Sequence, residues 1–138
     1  MNGPMDVDEL RRLPPLAGMS EDGLTRVAAA AADVLADEGQ VLALPDDPGS
    51  GMYILREGTV AVELRSGSLE LGPGDFFGEL ALLVEDGARV ARVRATSRVR
   101  CVSIPREDFL ALVESEPSFA LSLLRELARR LAEARAAV

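Results

Sequence analysis

The pattern of hydrophobic and polar positions changes twice along the chain. Between Ser20 and Gly39 apolar residues recur at helical spacing, with a serine that suits an N-cap and a glycine that suits a C-cap. From Gln40 to Ile104 short apolar or alternating runs are separated by turn sequences such as PDDPGSG and GPG. This order predicts a helix over 20–39 followed by about eight strands, which is typical of an antiparallel barrel or jelly roll.

Two further helices are predicted after Ile104. Pro105 precedes REDFLALVES, and Pro117 opens the longer segment SFALSLLRELARRLAEARAAV. The apolar arc of the longer helix is too broad for one partner. We expect Leu121 and Ala128 to face the barrel. The leucines near heptad spacing are expected to face a second copy of the chain, which predicts a homodimer through the C-terminal helix: Leu124, Leu127 and Leu131.

The predicted fold class is mostly β with flanking helices, an antiparallel jelly-roll or double-stranded β-helix barrel. At 138 residues the chain is expected to form a single domain, with no internal repeat and no long linker. Its predicted parts are an N-terminal helical part over 1–39, the barrel over 40–104 and the C-terminal helices over 105–138.

The composition excludes several kinds of chemistry. The chain has no histidine, and because it has no lysine either, all 15 of its basic residues are arginine. Histidine-based catalytic triads, most zinc sites and lysine Schiff bases are therefore excluded. We expect no catalytic residues, no metal site and no cofactor. Arginine remains as the cation, and its planar guanidinium grips a phosphate with two parallel hydrogen bonds.

Charge and hydropathy bear on partners and location. The net charge is −8, which argues against nucleic acid, and no helix-turn-helix follows the last predicted helix. No apolar stretch approaches the roughly 20 residues that span a bilayer, and no secretory signal is apparent. The single cysteine, Cys101, fits a reducing compartment. The expected location is therefore the cytoplasm, without a membrane or nucleic-acid partner.

The stretch FFGELALLVEDGARVARVRA, residues 76–95, carries the candidate binding chemistry. A helical turn that starts at Gly78 would expose the N–H groups of Leu80 and Ala81 to an anion, beside the carboxylate of Glu79. Arg89 is in phase with the inward set Ala91, Val93 and Ala95, whereas Arg92 and Arg94 are out of phase. One N–H cradle, one carboxylate and one guanidinium suit a ligand with a phosphate and a nearby sugar hydroxyl.

FGELALL followed by ARVARVRA resembles the phosphate-binding cassette of cyclic nucleotide-binding domains, which here spans 72–95. These are the cAMP- and cGMP-binding modules of protein kinase A regulatory subunits, cyclic nucleotide-gated channels and catabolite activator-type regulators. The resemblance implies that the backbone of Gly78, Leu80 and Ala81 contacts the cyclic phosphate, and that Glu79 accepts the ribose 2′-hydroxyl. It also implies that Arg89 pairs with an exocyclic phosphate oxygen and that Val90 offers a backbone N–H.

The resemblance also bears on the base of the nucleotide. The position that often favours cGMP through a hydroxyl is occupied by Arg92, so cAMP is the expected ligand and cGMP the alternative. In the family the last helix closes over the base after moving about a hinge, which here would lie near 115–118. The candidate lid residues on that helix are Arg129, Arg130 and Arg135.

Two other interpretations of these residues remain open. Glu79 and Arg89 could form a solvated ion pair at an ordinary turn. In that case the chain would be a degenerate module of the same fold that binds a protein or dimerises without a ligand. Under the main interpretation the chain is a cyclic nucleotide-binding sensor or regulatory module that acts on a separate effector protein.

Overall fold

The computed structural model describes residues 5–43, 51–64, 67–79, 83 and 92–136. The N-terminal part contains α1 (Val7–Arg11), a short 3-10 turn (Pro14–Leu16) and α2 (Glu21–Ala30). The side chain of Asp6 caps α1, and the hydroxyl of Ser20 caps α2 by accepting a bond from the N–H of Gly23. The predicted N-cap of α2 is therefore confirmed.

The prediction of one helix as far as Gly39 is wrong. Helix α2 ends at Ala30, Ala31 adopts extended backbone angles, and strand β1 runs from Ala32 to Ala36. Strand β1 pairs along its whole length with a strand near residue 100, and Ala36 is buried against the barrel core. Alanine has the highest helix propensity, but ordinary residues differ in propensity by less than about 1 kcal/mol each, so pairing with a distant strand outweighs this local preference.

The strands form two antiparallel four-stranded sheets. The first sheet has the order β1-β8-β3-β6 and the second the order β2-β7-β4-β5. Together with the helices, they confirm the predicted fold class of a β barrel or jelly roll with flanking helices. After β1, the strands span Val41–Ala43 (β2), Gly51–Glu57 (β3), Val60–Leu64 (β4), Gly67–Leu71 (β5), Phe76–Phe77 (β6), Arg92–Ala95 (β7) and Val99–Pro105 (β8).

Two hydrophobic clusters hold the fold together, one between the sheets and one beneath the helices. Neighbouring residues of β6 are divided between them, because side chains alternate across a strand. Phe77 faces the interior of the barrel and stacks on Tyr53, whereas Phe76 belongs to the cluster beneath the helices. Strand β6 therefore links the barrel to the helical layer at the point where the candidate cassette begins.

The C-terminal part consists of α3 (Arg106–Ser115) and α4 (Pro117–Ala136), so both predicted proline-initiated helices are confirmed. The predicted faces of α4 are wrong in part. Leu123 is buried and Leu127 packs against the core, whereas Leu121 is exposed. The angle of α4 is set by Phe119, which is buried and meets Phe109 of α3 edge to face.

In the part of the chain that the structure describes, no helix is both long enough and apolar enough to span a membrane.

Candidate functional site

The candidate site begins where β6 ends. Gly78 has a φ of +92°, and a Cβ at this position would lie 2.8 Å from the carbonyl oxygen of Gly51. Both the backbone angle and the close approach require glycine. The backbone bends at Gly78, and the N–H of Leu83 donates to the carbonyl of Glu79 over 2.9 Å.

Glu79 is buried, with 2% of its surface exposed. Its Oε2 atom is inaccessible and has no hydrogen-bond partner among the described residues. Burial raises the pKa of the Glu79 carboxyl, although the nearby charge of Arg130 offsets part of this effect. An unpaired buried oxygen costs free energy in a protein interior, so Oε2 is an acceptor for a donor from outside the described residues.

Arg130 of α4 reaches the cassette from the helical side. Its Nη1 lies 3.5 Å from Oε1 of Glu79, and its Nη2 donates to the carbonyl of Phe76 over 2.7 Å. Its guanidinium carbon lies 4.5 Å from the centre of the Phe76 ring, within cation–π distance. Its Nε donates to Glu126, one turn earlier on α4, over 2.9 Å. These contacts attach the last helix directly to the turn at Gly78.

The other two candidate lid arginines lie elsewhere. Arg129 is exposed and pairs with Glu126 and Glu133 on its own helix. Arg135 is exposed in the last turn of α4. Of the three, Arg130 alone is brought to Glu79 within the described residues. Contact between any of them and a base stays a prediction.

The expected phase of β7 is confirmed over Arg92–Ala95. Val93 and Ala95 are buried in the barrel core, whereas Arg92 and Arg94 flank Glu63 on the outer surface. The Nε of Arg92 donates to Glu63 over 2.9 Å. These two arginines therefore form part of the solvated face of the sheet. The remaining predicted site residues lie outside the described residues, and their roles stay predictions: Leu80, Ala81, Arg89 and Val90.

Two residues that contact Arg130 at the site were not predicted from the sequence. Glu126 accepts a hydrogen bond from Arg130 and orients it. The carbonyl of Phe76 accepts a second hydrogen bond from Arg130, and the Phe76 ring makes the cation–π contact. The spacing of Glu126 and Arg130, four residues apart on one helix, was a usable signal. No sequence signal pointed to the Phe76 carbonyl, because a backbone acceptor depends on the path of the chain.

Cys101 takes no part in the site. It is buried between the sheets, and burial raises its pKa to about 11, so its thiol is protonated at neutral pH. Cys101 is therefore a small residue of the barrel core. The described residues contain no group of three or more side chains placed to hold a metal ion.

The family model described as "Cyclic nucleotide-binding domain" matches residues 34–116, which is more than half of the chain. The chain belongs to the cyclic nucleotide-binding domain family. The match includes the whole cassette and ends at the junction of α3 and α4. The predicted membership is therefore confirmed.

Three relatives illustrate the range of this family. The chain is 36% identical over 103 residues to the cyclic AMP receptor protein of Thermus thermophilus, covering 70% of this chain and 47% of that protein. The crystal structure of the catabolite activator protein from the same organism matches with a TM-score of 0.70 and 30% identity, covering 88% of this chain and 60% of that one. The structure of the regulatory subunit of a cAMP-independent protein kinase A from Trypanosoma brucei matches with a TM-score of 0.74 and 25% identity. The match covers 89% of this chain and 46% of that one.

The chain spans about half or less of the length of the curated relatives that it matches first. These relatives contain further segments outside the matched region. The activity of each whole relative is therefore not assigned to this chain.

Proposed function

We propose that this chain binds a cyclic nucleotide, with cAMP preferred, and acts as a regulatory module for a separate effector. The observation that carries the proposal is the buried Oε2 of Glu79, which lacks a donor within the described residues. A ribose hydroxyl is a hydrogen-bond donor, and its hydrogen bond to a carboxylate would be charge-assisted. The similarity to the cyclic AMP receptor protein of Thermus thermophilus supports the same ligand class.

The phosphate would be held at the other end of this site. Gly78 supplies the backbone angle for the turn, and the resemblance to the family assigns N–H contacts to Leu80, Ala81 and Val90 and the ion pair to Arg89. A cyclic phosphate is an anion at neutral pH, so an arginine and a set of N–H groups are a suitable match. We also propose that the effector is a separate protein and that the chain acts in the cytoplasm.

Titration calorimetry with both nucleotides tests the ligand. We expect saturable heat with cAMP and weaker binding of cGMP, because the side chain of Arg92 is engaged by Glu63 on the outer surface and offers no hydroxyl to guanine. Tighter binding of cGMP would overturn the preference. Absence of heat with both nucleotides would reject the proposed function.

A second candidate function is a ligand-free module that binds a protein. Two observations favour it: the chain's own Arg130 places a positive charge beside Glu79, and one similar structure is the regulatory subunit of a cAMP-independent protein kinase A. A module of this kind would give no heat with either nucleotide yet keep α4 docked on the barrel.

Ligand binding should alter the dynamics of the C-terminal helices. Arg130 links α4 to Glu79, so a ligand that bonds to Glu79 changes the interactions of that helix. We expect amide hydrogen exchange over residues 109–136 to slow when cAMP binds. Equal exchange rates with and without bound cAMP would show that the site is occupied without a response in the helices.

The exposed face of α4 supports a homodimer. Leu121, Leu124 and Leu131 are each about half exposed or more, at spacings that place them near one another on the helix. We expect a dimer in sedimentation experiments at tens of micromolar protein, and a monomer for the Leu124→Glu variant. Leu35→Glu, which changes an exposed leucine on β1, is the matched control and should leave the dimer intact. A wild-type monomer with and without cAMP would reject this interface.

A further inference from the structure

The guanidinium of Arg130 is held at three points beside Glu79. Its Nε donates to Oε2 of Glu126, its Nη2 donates to the carbonyl of Phe76, and its central carbon lies over the Phe76 ring. Nη1 faces Glu79, but its 3.5 Å distance from Oε1 exceeds the length of a charge-assisted hydrogen bond, about 2.7–2.9 Å. Arg130 and Glu79 therefore attract each other without forming a direct hydrogen bond.

Glu126 is the adjustable member of these three restraints. Phe76 is fixed, because it is buried in the core beneath the helices and its strand pairs with β3. Glu126 is a partly exposed side chain on α4, and its Oε2 is shared between Nη2 of Arg129 at 2.6 Å and Nε of Arg130 at 2.9 Å. The hydrogen bonds from Arg129 and then from Arg130 lower the pKa of Glu126, so it is a carboxylate at neutral pH.

Loss of this restraint would change what Arg130 does. Both Arg130 and Glu79 are largely buried, so the attraction between their charges is weakly screened. Without Glu126 the Nε of Arg130 loses its acceptor, and a shift of less than about 1 Å brings Nη1 into hydrogen-bond range of Glu79. A direct bond of this kind satisfies the Glu79 carboxylate from within the chain, so a ligand hydroxyl has to compete for it.

We propose that Glu126 is a positioning residue that holds Arg130 short of a direct bond with Glu79, so that the Glu79 carboxylate stays available to a ligand. In this arrangement Arg130 is an internal competitor of the ligand, and Glu126 restrains it. The inference rests on the proposed function for the identity of the ligand. The contacts among Glu126, Arg130 and Glu79 belong to the chain itself and are testable without a ligand.

A carbon-13 NMR titration of the Glu79 carboxyl in the ligand-free full chain tests the positioning. Among the described residues, the charges that act on Glu79 are Arg130 and Glu126, both on α4. In Glu126→Ala we expect the pKa of Glu79 to lie below its wild-type value, because Arg130 closes on the carboxylate and a negative charge is lost. Alanine is the best helix former, so α4 stays intact.

Glu133→Ala is the matched control. It removes a carboxylate from the same helix that pairs with Arg129, as Glu126 does, but Glu133 has no contact with Arg130 among the described residues. We expect the pKa of Glu79 in this variant to stay at its wild-type value. If Glu126→Ala and Glu133→Ala give the same pKa of Glu79, Glu126 has no special hold on Arg130 and the inference is wrong.

Arg130→Met separates positioning from the simple loss of a charge. Methionine keeps an unbranched side chain but has no charge to compete for Glu79. In this background Glu126→Ala removes only a nearby charge, so it should lower the pKa of Glu79 much less than it does in the wild type. An equal decrease in both backgrounds would show that Glu126 acts by its own charge and does not work through Arg130, which overturns the inference.

Titration calorimetry with cAMP measures the consequence for the ligand. We expect Glu126→Ala to weaken binding by about tenfold, the size expected when a ligand has to displace one charge-assisted hydrogen bond. Glu133→Ala should bind as the wild type does, and Glu126→Ala should have no effect in the Arg130→Met background. Unchanged or tighter binding by Glu126→Ala would contradict the inference. If the wild type binds neither cAMP nor cGMP, the proposed function fails, and the NMR titration still decides the role of Glu126.

Discussion

Replacing Arg89 by alanine is expected to weaken cAMP binding by between about tenfold and about a thousandfold. The resemblance to the family assigns Arg89 to the exocyclic oxygen of the cyclic phosphate, and a phosphate inside a barrel requires a compensating charge. A charge-assisted contact contributes about 1.5–3 kcal/mol, and losing one member of a buried charged pair costs about 2–5 kcal/mol. Each 1.4 kcal/mol corresponds to about tenfold in affinity, so losses between about 1.5 and about 4 kcal/mol give the expected range. Calorimetric titration of the variant with cAMP measures the change directly.

Neighbouring arginines provide matched controls. Arg92→Ala and Arg94→Ala remove the same charge from side chains that flank Glu63 on the outer surface, and should change the affinity by much less than about tenfold. Arg89→Lys should restore only part of the affinity, because an ammonium group lacks the two-pronged geometry of guanidinium. If Arg92→Ala abolishes binding while Arg89→Ala does not, the assignment of the phosphate arginine is wrong.

Glu79→Gln is expected to weaken cAMP binding and, at the same time, to stabilise the ligand-free protein. A hydrogen bond from a hydroxyl to a charged acceptor contributes about 1.5–3 kcal/mol, so binding should weaken by about tenfold to about a hundredfold. The amide of glutamine keeps the shape of the side chain but lacks the charge. Glu70→Gln on the exposed part of β5 is the control and should leave binding unchanged.

The stability change has a defined dependence on pH. Burial raises the pKa of Glu79 above the ordinary value of 4.5, so the folded protein holds the proton more tightly than the unfolded chain does. Ionisation of Glu79 therefore costs folding free energy. The cost is absent below the ordinary value, grows as the pH rises toward the raised pKa and is complete above it.

Urea unfolding of the ligand-free protein measures this effect. At neutral pH the midpoint for Glu79→Gln should lie above that of the wild type, and the difference should shrink as the pH falls toward 4.5. A midpoint below that of the wild type at neutral pH would mean that the contact with Arg130 outweighs the cost of burying the charge.

The sequence by itself determined the local features of this protein. Strict alternation placed Val93 and Ala95 inside the barrel and their arginine neighbours outside, because a strand has only two faces. Pro105 and Pro117 fixed the starts of α3 and α4, because proline suits a helix start and breaks a helix interior. The cassette motif identified the family, since its glycine and carboxylate lie within one short turn.

Tertiary structure decided the features that depend on distant partners. Strand β1 exists because it pairs with β8, more than sixty residues later, and this pairing outweighs the helical spacing of Val34 and Leu35 that predicted a helix there. The rotation of α4 is set by Phe119 and Leu123 in the core, so Leu121 is exposed and Arg130, rather than Arg129 or Arg135, reaches Glu79. Helical spacing defines which side chains share a face, but only packing against other elements decides which face is buried.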